Sequence, residues 1–255
     1  MSLPRVLLVE DDASIRRFVA LALEDEAIDL VQAASLAQAA SALQGAPFAL
    51  VLCDLMLPDG SGLDLLRELG QPSAALAAPH AAARRVAFSA GVSAAMRQQL
   101  QQAGVHEVLD KPASLIDLLA CLARALATAG AAPAAPGSAA TDASAEPPDA
   151  QAVQAFFGGD QGLYDAYLAQ CRPQFARDAA AGDQAQQQSD LPALRRLAHS
   201  LKSVWRCLGF DADSGLAAQV EDCAARQQAD AAWAHWPTLR ARLLSHAQPS
   251  TEGRA

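Results

Sequence analysis

At 255 residues the chain is long enough for two domains of ordinary size. Its hydrophobic fraction of 52% includes few aromatic residues, which predicts an aliphatic core, and its net charge of -9 argues against nucleic acid as a partner. The five cysteines are odd in number and widely spaced, so neither a zinc site nor a disulfide framework is indicated. No apolar stretch has transmembrane length and no signal peptide is visible, so we expect a cytoplasmic protein without membrane insertion.

Residues 5–126 alternate short apolar runs with helical patterns, as in a parallel sheet built from βαβ units. Strands are predicted near 5–10, 28–33, 48–53, 84–89 and 105–109. Helices are predicted near 13–26, 35–44, 62–69, 92–103 and 114–127. Right-handed crossovers would place helices on both faces. The expected fold is a doubly wound α/β domain with a five-stranded parallel sheet, in which the segment 70–83 is an insertion without an assigned role.

The second half of the chain has a different composition. Residues 128–148 are rich in alanine and proline and lack large apolar side chains, which predicts a flexible linker. Residues 149–248 show helical periodicity only and predict an all-α four-helix bundle, followed by a tail at 249–255. Within the bundle, Asp190 before a proline in the first turn marks a helix start, and Gly209 marks its end. The first domain is predicted at 1–127.

Polar residues follow four of the apolar runs. Their order along the chain is Glu10, Asp11, Asp54, Ser89 and Lys111. Because the carboxyl ends of parallel strands meet at one edge of a sheet, we expect these side chains to lie together. Oxygen ligands of this kind suit Mg²⁺, and a carboxylate that accepts a phosphoryl group needs such a cation. Each fragment alone has another explanation, because an acidic pair after a strand is often a helix cap, as Asp12 in particular can be.

The first half of the chain resembles the receiver domain of two-component response regulators, whose fold is flavodoxin-like. The matching strings are VLLVEDD at 6–12, CDLMLPDGSG at 53–62, AFSA at 87–90 and DKP at 110–112. The resemblance implies that Asp54 is the phospho-acceptor, that Ser89 is the switch hydroxyl and that Lys111 is the cation of the receiver family. It implies metal binding by Asp11, by Glu10 mostly through water, and by the backbone carbonyl of Met56. We expect Asp54 to hold the metal together with Asp11. A cis bond between Lys111 and Pro112 is also implied.

The first half departs from the receiver pattern at two positions. Val108 stands where many receivers have tyrosine or phenylalanine, and Ala113 follows the proline where an aromatic residue is common. The usual aromatic route of signalling is therefore not expected in this chain. The residues of the phosphorylation chemistry are unaffected by these departures.

The second half contains one histidine in a distinctive setting. If Leu194, Leu197, Leu201 and Leu208 face the core, His199 points away from them at 100° per residue and is expected to be exposed. Its helical neighbours are basic: Arg195, Arg196, Lys202 and, one turn further, Arg206. Position alone also allows an ordinary solvated histidine. A neutral imidazole is a nucleophile near physiological pH, and the surrounding cations favour a phosphoryl group and an acidic partner surface.

Residues 149–247 resemble the histidine phosphotransfer (HPt) domain. The resemblance is carried by RRLAHSLKS at 195–203 with Gly209, by FFGGD at 156–160, and by Val220-Glu221. It implies that His199 carries the phosphoryl group. The chain departs from the family at Ser203, where glycine is usual. His80, His106, His235 and His246 are predicted to be ordinary surface or loop histidines, and the tryptophans to serve packing or an interface.

These features predict a phosphorelay intermediate. Asp54 would be phosphorylated, and His199, assisted by Lys202, would exchange phosphate with a receiver aspartate in the same or another chain. The expected partners are a sensor histidine kinase or hybrid kinase and a downstream response regulator receiver domain; the glycine boxes of an ATP-binding kinase do not occur. The alternative is a binding module in which phosphorylation of the receiver gates access to the HPt face without transfer between the domains.

Overall fold

The computed structural model describes residues 3–71, 78–127 and 148–248. Packing groups the chain into two compact units, the first within residues 1–11 and 22–159 and the second within residues 12–21 and 160–255. The predicted boundaries at 127 and 149 remain predictions. The linker predicted at 128–148 lies outside the described residues except for Pro148, and so does the tail predicted at 249–255.

The first unit is built on a parallel sheet of five strands. They are β1 (Arg5–Val9), β2 (Asp29–Ala33), β3 (Leu50–Asp54), β6 (Arg84–Ser89) and β7 (Glu107–Asp110), in the spatial order β2-β1-β3-β6-β7. Strand β3 is buried along its whole length because it lies in the middle of the sheet. The expected doubly wound sheet is confirmed. A short antiparallel pair, β4 (Met56–Leu57) and β5 (Gly60–Ser61), was not predicted from the sequence.

The helices that follow these strands agree with the predicted positions within a few residues. They are α1 (Ala13–Ala22), α2 (Leu36–Ala42), α3 (Gly62–Leu69), α4 (Ala94–Gln102) and α5 (Leu115–Leu126). The first was predicted to reach residue 26 but ends at Ala22. Three acidic residues follow, Glu24, Asp25 and Glu26, and negative charge at the carboxyl end of a helix opposes its dipole. By packing, α1 is grouped with the second unit.

The second unit contains four long helices in its described residues. They are α7 (Gln161–Gln187), α8 (Leu191–Cys207), α9 (Asp211–Ala225) and α10 (Ala229–Ala247), preceded by α6 (Pro148–Phe157) in the first unit. Asp190 caps α8 by accepting a hydrogen bond from the Ala193 N–H at 2.9 Å, and Gly209 beyond its end has φ +79°, as predicted. Helix α8 packs against α9, and α10 packs against α7 and α9.

Aromatic side chains fill the bundle despite their low number. Trp205, Trp236 and Phe175 are fully buried. Trp236 packs so closely on Gly182 that a Cβ atom there would lie 1.9 Å from the indole ring, and its Nε1 donates to Asp183. The prediction that the tryptophans pack the bundle is confirmed for Trp205 and Trp236.

Two histidines differ from the ordinary surface or loop histidines that were predicted. His80 ends a turn of 3₁₀ helix (Ala78–His80) and is fully buried, with Nε2 2.8 Å from the Leu43 carbonyl oxygen and Nδ1 accepting from the Phe48 N–H at 3.2 Å. The segment 70–83, predicted as an insertion without an assigned role, thus contributes a residue to the core; its positions 72–77 lie outside the described residues. His246 pairs with Asp213 and stacks on Phe210.

In the described part of the chain, every helix is too short or too polar to cross a lipid bilayer.

Candidate functional site

Three carboxylates meet at the carboxyl edge of the sheet. Glu10 and Asp11 follow β1, and Asp54 is the last residue of the neighbouring strand β3. One oxygen from each lies within 4.8 Å of the others. Glu10 and Asp54 are buried and Asp11 is half-buried. Parallel pairing of β1 with β3 accounts for this cluster, because it brings the ends of both strands to the same level.

Lys111 supplies the positive charge of this cluster. Its Nζ lies 2.7 Å from Asp54 Oδ2, also contacts Glu10 Oε2, and sits 4.9 Å from the centre of the Phe88 ring. Burial by itself lowers the pKa of Lys111, but the Glu10 and Asp54 carboxylates raise it by more, so its pKa lies above the ordinary value. Lys111 is therefore a charged ammonium held against the predicted acceptor, and its bond to Pro112 is cis, as expected.

The neighbouring acidic residue Asp12 has a different role. Its Oδ1 accepts a hydrogen bond from the Ile15 N–H at 2.9 Å, in the first turn of α1. This is the geometry of a helix cap. The string Glu10-Asp11-Asp12 therefore divides into two members of the carboxylate cluster and one cap.

Backbone groups also contact the predicted acceptor. The Met56 N–H donates to Asp54 Oδ1 at 3.1 Å, so both carboxylate oxygens of Asp54 are engaged, one by Met56 and one by Lys111. Metal binding by the Met56 carbonyl remains a prediction.

Ser89 is the last residue of β6, which pairs with β3. In the register of these strands Asp54 lies opposite Phe88, so Ser89 is one residue beyond the level of Asp54. Its carbonyl oxygen accepts from the Lys111 N–H at 3.1 Å, and the residue is buried. The strand pairing brings Ser89 to the predicted edge, and its role as the switch hydroxyl remains a prediction.

Gly62 was not singled out as a functional residue from the sequence. A Cβ atom at this position would lie 1.8 Å from the Asp54 carbonyl oxygen, which is too close for two heavy atoms that are not bonded to each other. Only glycine therefore lets the start of α3 approach the end of β3. A glycine in the first position of a predicted helix, eight residues after the acceptor, was the signal available in the sequence.

The carboxylate cluster fits a magnesium ion. Its donors are hard oxygen atoms from three residues, and they are close enough together to share one cation. The buried thiol of Cys53 donates instead to the Asp54 carbonyl oxygen, with Sγ at 3.1 Å, and burial, Asp54 and Glu10 raise its pKa far above the ordinary value.

His199 lies on α8 and is buried, so the prediction of an exposed imidazole is wrong. The buried face of α8 includes Ala198 and Trp205, so it extends to the side of the helix on which His199 lies. Leu197, which was predicted to face the core, is only partly buried. The ring is held by Glu221 of α9, whose Oε1 lies 2.7 Å from His199 Nδ1.

Glu221 joins the histidine to a lysine. Its second oxygen, Oε2, accepts a hydrogen bond from Lys202 Nζ at 2.5 Å. Burial alone would raise the pKa of Glu221, but the hydrogen bonds and charges of His199 and Lys202 lower it to about 2. Glu221 is thus ionised at neutral pH and can only accept hydrogen bonds, so His199 Nδ1 is the donor in this contact, and in a neutral imidazole the lone pair is then on Nε2. The sequence indicated Glu221 only as part of a family motif, without a role.

Two family models match the chain, one in each half. The response regulator receiver domain model matches residues 6–123, and the Hpt domain model matches residues 163–248. The first match spans the carboxylate cluster and Lys111, and the second spans His199, Lys202 and Glu221.

Curated relatives align with the first half of the chain. The response regulator protein PilR of Pseudomonas aeruginosa is 32% identical over 126 residues, which are 49% of this chain and 27% of PilR. The transcriptional regulatory protein KdpE of Escherichia coli is 32% identical over 48% of this chain and 50% of KdpE. The chain thus spans half or less of the length of these two relatives.

A shorter relative is covered almost completely. The response regulator receiver protein CpdR of Brucella abortus is 32% identical over 116 residues, which are 45% of this chain and 90% of CpdR. Among solved structures, the chemotaxis response regulator CheY4 of Vibrio cholerae matches with a TM-score of 0.42 and 26% identity over 49% of this chain and 99% of that one. The chain belongs to the response regulator receiver domain family, and it carries an Hpt domain in the same polypeptide.

Proposed function

We propose that this chain is a phosphorelay intermediate in which Asp54 receives a phosphoryl group and His199 exchanges one with a receiver aspartate, in the same chain or in another. The observation that carries the proposal is the 2.7 Å contact between His199 Nδ1 and Glu221, because it engages Nδ1 and leaves Nε2, the nitrogen that would attack phosphorus, without a hydrogen-bond partner in the described residues. A receiver acceptor and a nucleophilic imidazole in one chain are the two parts that a relay needs.

The first step takes place at Asp54. Mg²⁺ bound by Glu10, Asp11 and Asp54 would offset the negative charge of the phosphoryl oxygens. Lys111 already contacts Asp54 Oδ2, so it is placed to pair with the phosphorylated side chain. The Met56 N–H holds the other carboxylate oxygen and orients it. These residues act by positioning and charge, which are the main contributions of a protein to phosphoryl transfer.

The second step moves the phosphoryl group between an aspartate and His199. The Nε2 lone pair forms the N–P bond while the P–O bond of the acyl phosphate breaks, and that electron pair returns to the aspartate carboxylate. The imidazole ring gains positive charge as the bond forms. Glu221, ionised and hydrogen-bonded to Nδ1, stabilises this charge, so no proton has to leave the ring during transfer.

The partners follow from this chemistry. The donor to Asp54 would be the phosphohistidine of a sensor histidine kinase or hybrid kinase, and the exchange partner of His199 in trans would be the receiver domain of a downstream response regulator. Lys202 was predicted to act as a positioning charge for transfer. Its contact with Glu221 supports an indirect role, in which it keeps the carboxylate ionised and in place.

One observation favours a second function. The Nε2 atom of His199 is buried, and transfer requires that this atom be reached by the donor phosphorus. In the alternative, phosphorylation of Asp54 controls access to the His199 face and no phosphoryl group passes between the two domains.

A labelling experiment on the full chain distinguishes the two functions. Acetyl phosphate with Mg²⁺ should place acid-stable, base-labile label on Asp54 and then acid-labile, base-stable label on His199. Asp54→Asn should abolish both labels, and His199→Gln should abolish only the second. Asp64→Asn removes an exposed carboxylate that pairs with Arg67 and serves as the matched control.

The outcomes separate clearly. Label on Asp54 that never reaches His199, even when phosphorylated wild type is mixed with the Asp54→Asn chain, supports gating and contradicts the relay. Glu221→Gln keeps the size of the side chain but removes its charge, and it should slow the second label by about tenfold or more, since a charge-assisted hydrogen bond contributes roughly 1.5–3 kcal/mol.

A further inference from the structure

One face of α8 carries three polar atoms that are buried and lack hydrogen-bond partners in the described part of the chain. They are Arg195 Nε, His199 Nε2 and Ser203 Oγ. These residues are spaced four apart, so their side chains are neighbours along one side of the helix. Ser203 and His199 are more than nine-tenths buried, and Arg195 is partly buried.

Buried polar atoms without partners are uncommon in folded proteins because they lose their hydrogen bonds to water. One such atom can be a local compromise in packing, but three on consecutive turns of one helix point to a missing ligand. Arg195 Nε and Ser203 Oγ are hydrogen-bond donors, while His199 Nε2 offers a lone pair. The group that satisfies all three has an electrophilic centre with negatively charged oxygen atoms around it.

Lys202, three positions after His199 in the motif, is already engaged elsewhere. Lys202 Nζ is bound to Glu221, which also holds the Nδ1 side of the imidazole ring. The Lys202 charge is therefore offset before any phosphoryl group arrives. Arg195 lies one helical turn before His199, and its Nε is a buried donor without a partner in the described part of the chain.

We infer that Ser203 and Arg195 bind the oxygens of the phosphoryl group carried by His199, Ser203 through its hydroxyl and Arg195 through its guanidinium. This inference rests on the proposed function, since it assigns further residues to the same site. Ser203 occupies a position where glycine is usual in similar domains, so the hydroxyl is a feature of this chain. Its effect is to favour the phosphorylated form of His199 over the free form.

The test uses the full chain with Asp54→Asn, which removes the chain's own acceptor. Phosphoramidate is the donor: its P–N bond breaks, the phosphoryl group passes to Nε2, and the nitrogen leaves as ammonia. The amount and lifetime of acid-labile, base-stable label are measured, with ³¹P NMR to follow the environment of the phosphorus. His199→Gln gives the background.

Ser203→Ala should reduce the labelled fraction at limiting donor, or the lifetime of the label, by about tenfold, the ratio that corresponds to one hydrogen bond to a charged group. Ser203→Thr keeps the hydroxyl and should restore most of the effect. Arg195→Gln should act in the same direction as Ser203→Ala. Ser200→Ala, next to His199 but on another side of the helix, is the matched control and should leave the label unchanged.

The inference is overturned if the Ser203→Ala and Arg195→Gln variants have the same labelled fraction, label lifetime and ³¹P shift as the Asp54→Asn chain from which they are made. That result would leave the proposed function intact. If His199 takes no label from phosphoramidate or from any phosphorylated receiver, both the function and this inference fail. Circular dichroism of each variant identifies a loss of label that results from unfolding. For such a variant, the ³¹P shift of the fraction that is labelled shows whether the substituted side chain contacts the phosphoryl group.

Discussion

His199 Nδ1 lies 2.7 Å from Glu221 Oε1, and this contact joins α8 to α9 across 22 residues of sequence. The same carboxylate binds Lys202 through its other oxygen. A partly buried carboxylate between an imidazole and an ammonium orients the ring through Nδ1 and makes the stability of the bundle depend on acid.

The pH dependence follows from the pKa of Glu221. Its contacts lower the pKa from 4.5 to about 2, so the contribution of Glu221 to stability is fully present above about pH 4.5 and is lost as the pH falls toward 2. We expect the difference in unfolding free energy between wild type and Glu221→Gln to shrink over this range. Chemical denaturation at several pH values, followed by tryptophan fluorescence, measures it.

The control for this prediction is the adjacent residue. Asp222 is exposed, and Asp222→Asn removes one negative charge without breaking the contacts of Glu221. A difference for Glu221→Gln that stays constant from about pH 6 to about pH 3 would contradict the assigned role of the carboxylate.

The second prediction separates the two neighbouring aspartates after β1. Asp11→Ala should weaken Mg²⁺ binding by at least about tenfold, because a hard cation loses one of its few protein oxygen ligands. Asp12→Ala should leave Mg²⁺ affinity nearly unchanged and instead cost about 1 kcal/mol of stability, since Asp12 caps α1. Calorimetric titration gives the affinities and thermal unfolding the stabilities. Equal loss of affinity in both variants would show that the assignment is wrong.

The third prediction concerns His80, whose two ring nitrogens are satisfied by backbone groups of Leu43 and Phe48. His80→Leu fills much of the same space but leaves a buried carbonyl and a buried N–H without partners. The expected cost is about 2–6 kcal/mol, from roughly 1–3 kcal/mol for each of the two unsatisfied groups. Urea denaturation followed by circular dichroism measures it, with His235→Leu on α10 as the comparison. A change below about 0.5 kcal/mol would place His80 outside the core.

The sequence was sufficient to predict the sheet and its acidic edge, because short apolar runs ending in Glu10, Asp54 and Ser89 have one simple arrangement as parallel strands. It was insufficient for contacts that depend on tertiary packing. The partners of His80 lie 32 and 37 residues away, and nothing local in the sequence indicates them.

The prediction that His199 is exposed was wrong for a different reason. The predicted buried face of α8 was defined by leucines alone, whereas the observed one also includes Ala198 and Trp205. If alanine and tryptophan are included, the predicted buried face lies closer to His199. The motif singled out His199 as the candidate phospho-carrier, but helical projection could not show that a carboxylate from α9 holds its ring.

The last prediction concerns the approach of α3 to the acceptor strand. Gly62→Ala would place a methyl group 1.8 Å from the Asp54 carbonyl oxygen, so the end of β3 or the start of α3 must move. The Lys111 and Met56 contacts of Asp54 depend on the position of that residue. We therefore expect Gly62→Ala to lower both stability, by about 2 kcal/mol or more, and the rate of acetyl phosphate labelling, by about tenfold or more, as for small displacements of a reacting group. Gly215→Ala is the matched control because a Cβ atom there meets nothing within 4 Å and alanine favours the helix α9. If Gly62→Ala is labelled on Asp54 as fast as Gly215→Ala at equal stability, the close approach of α3 does not position the acceptor.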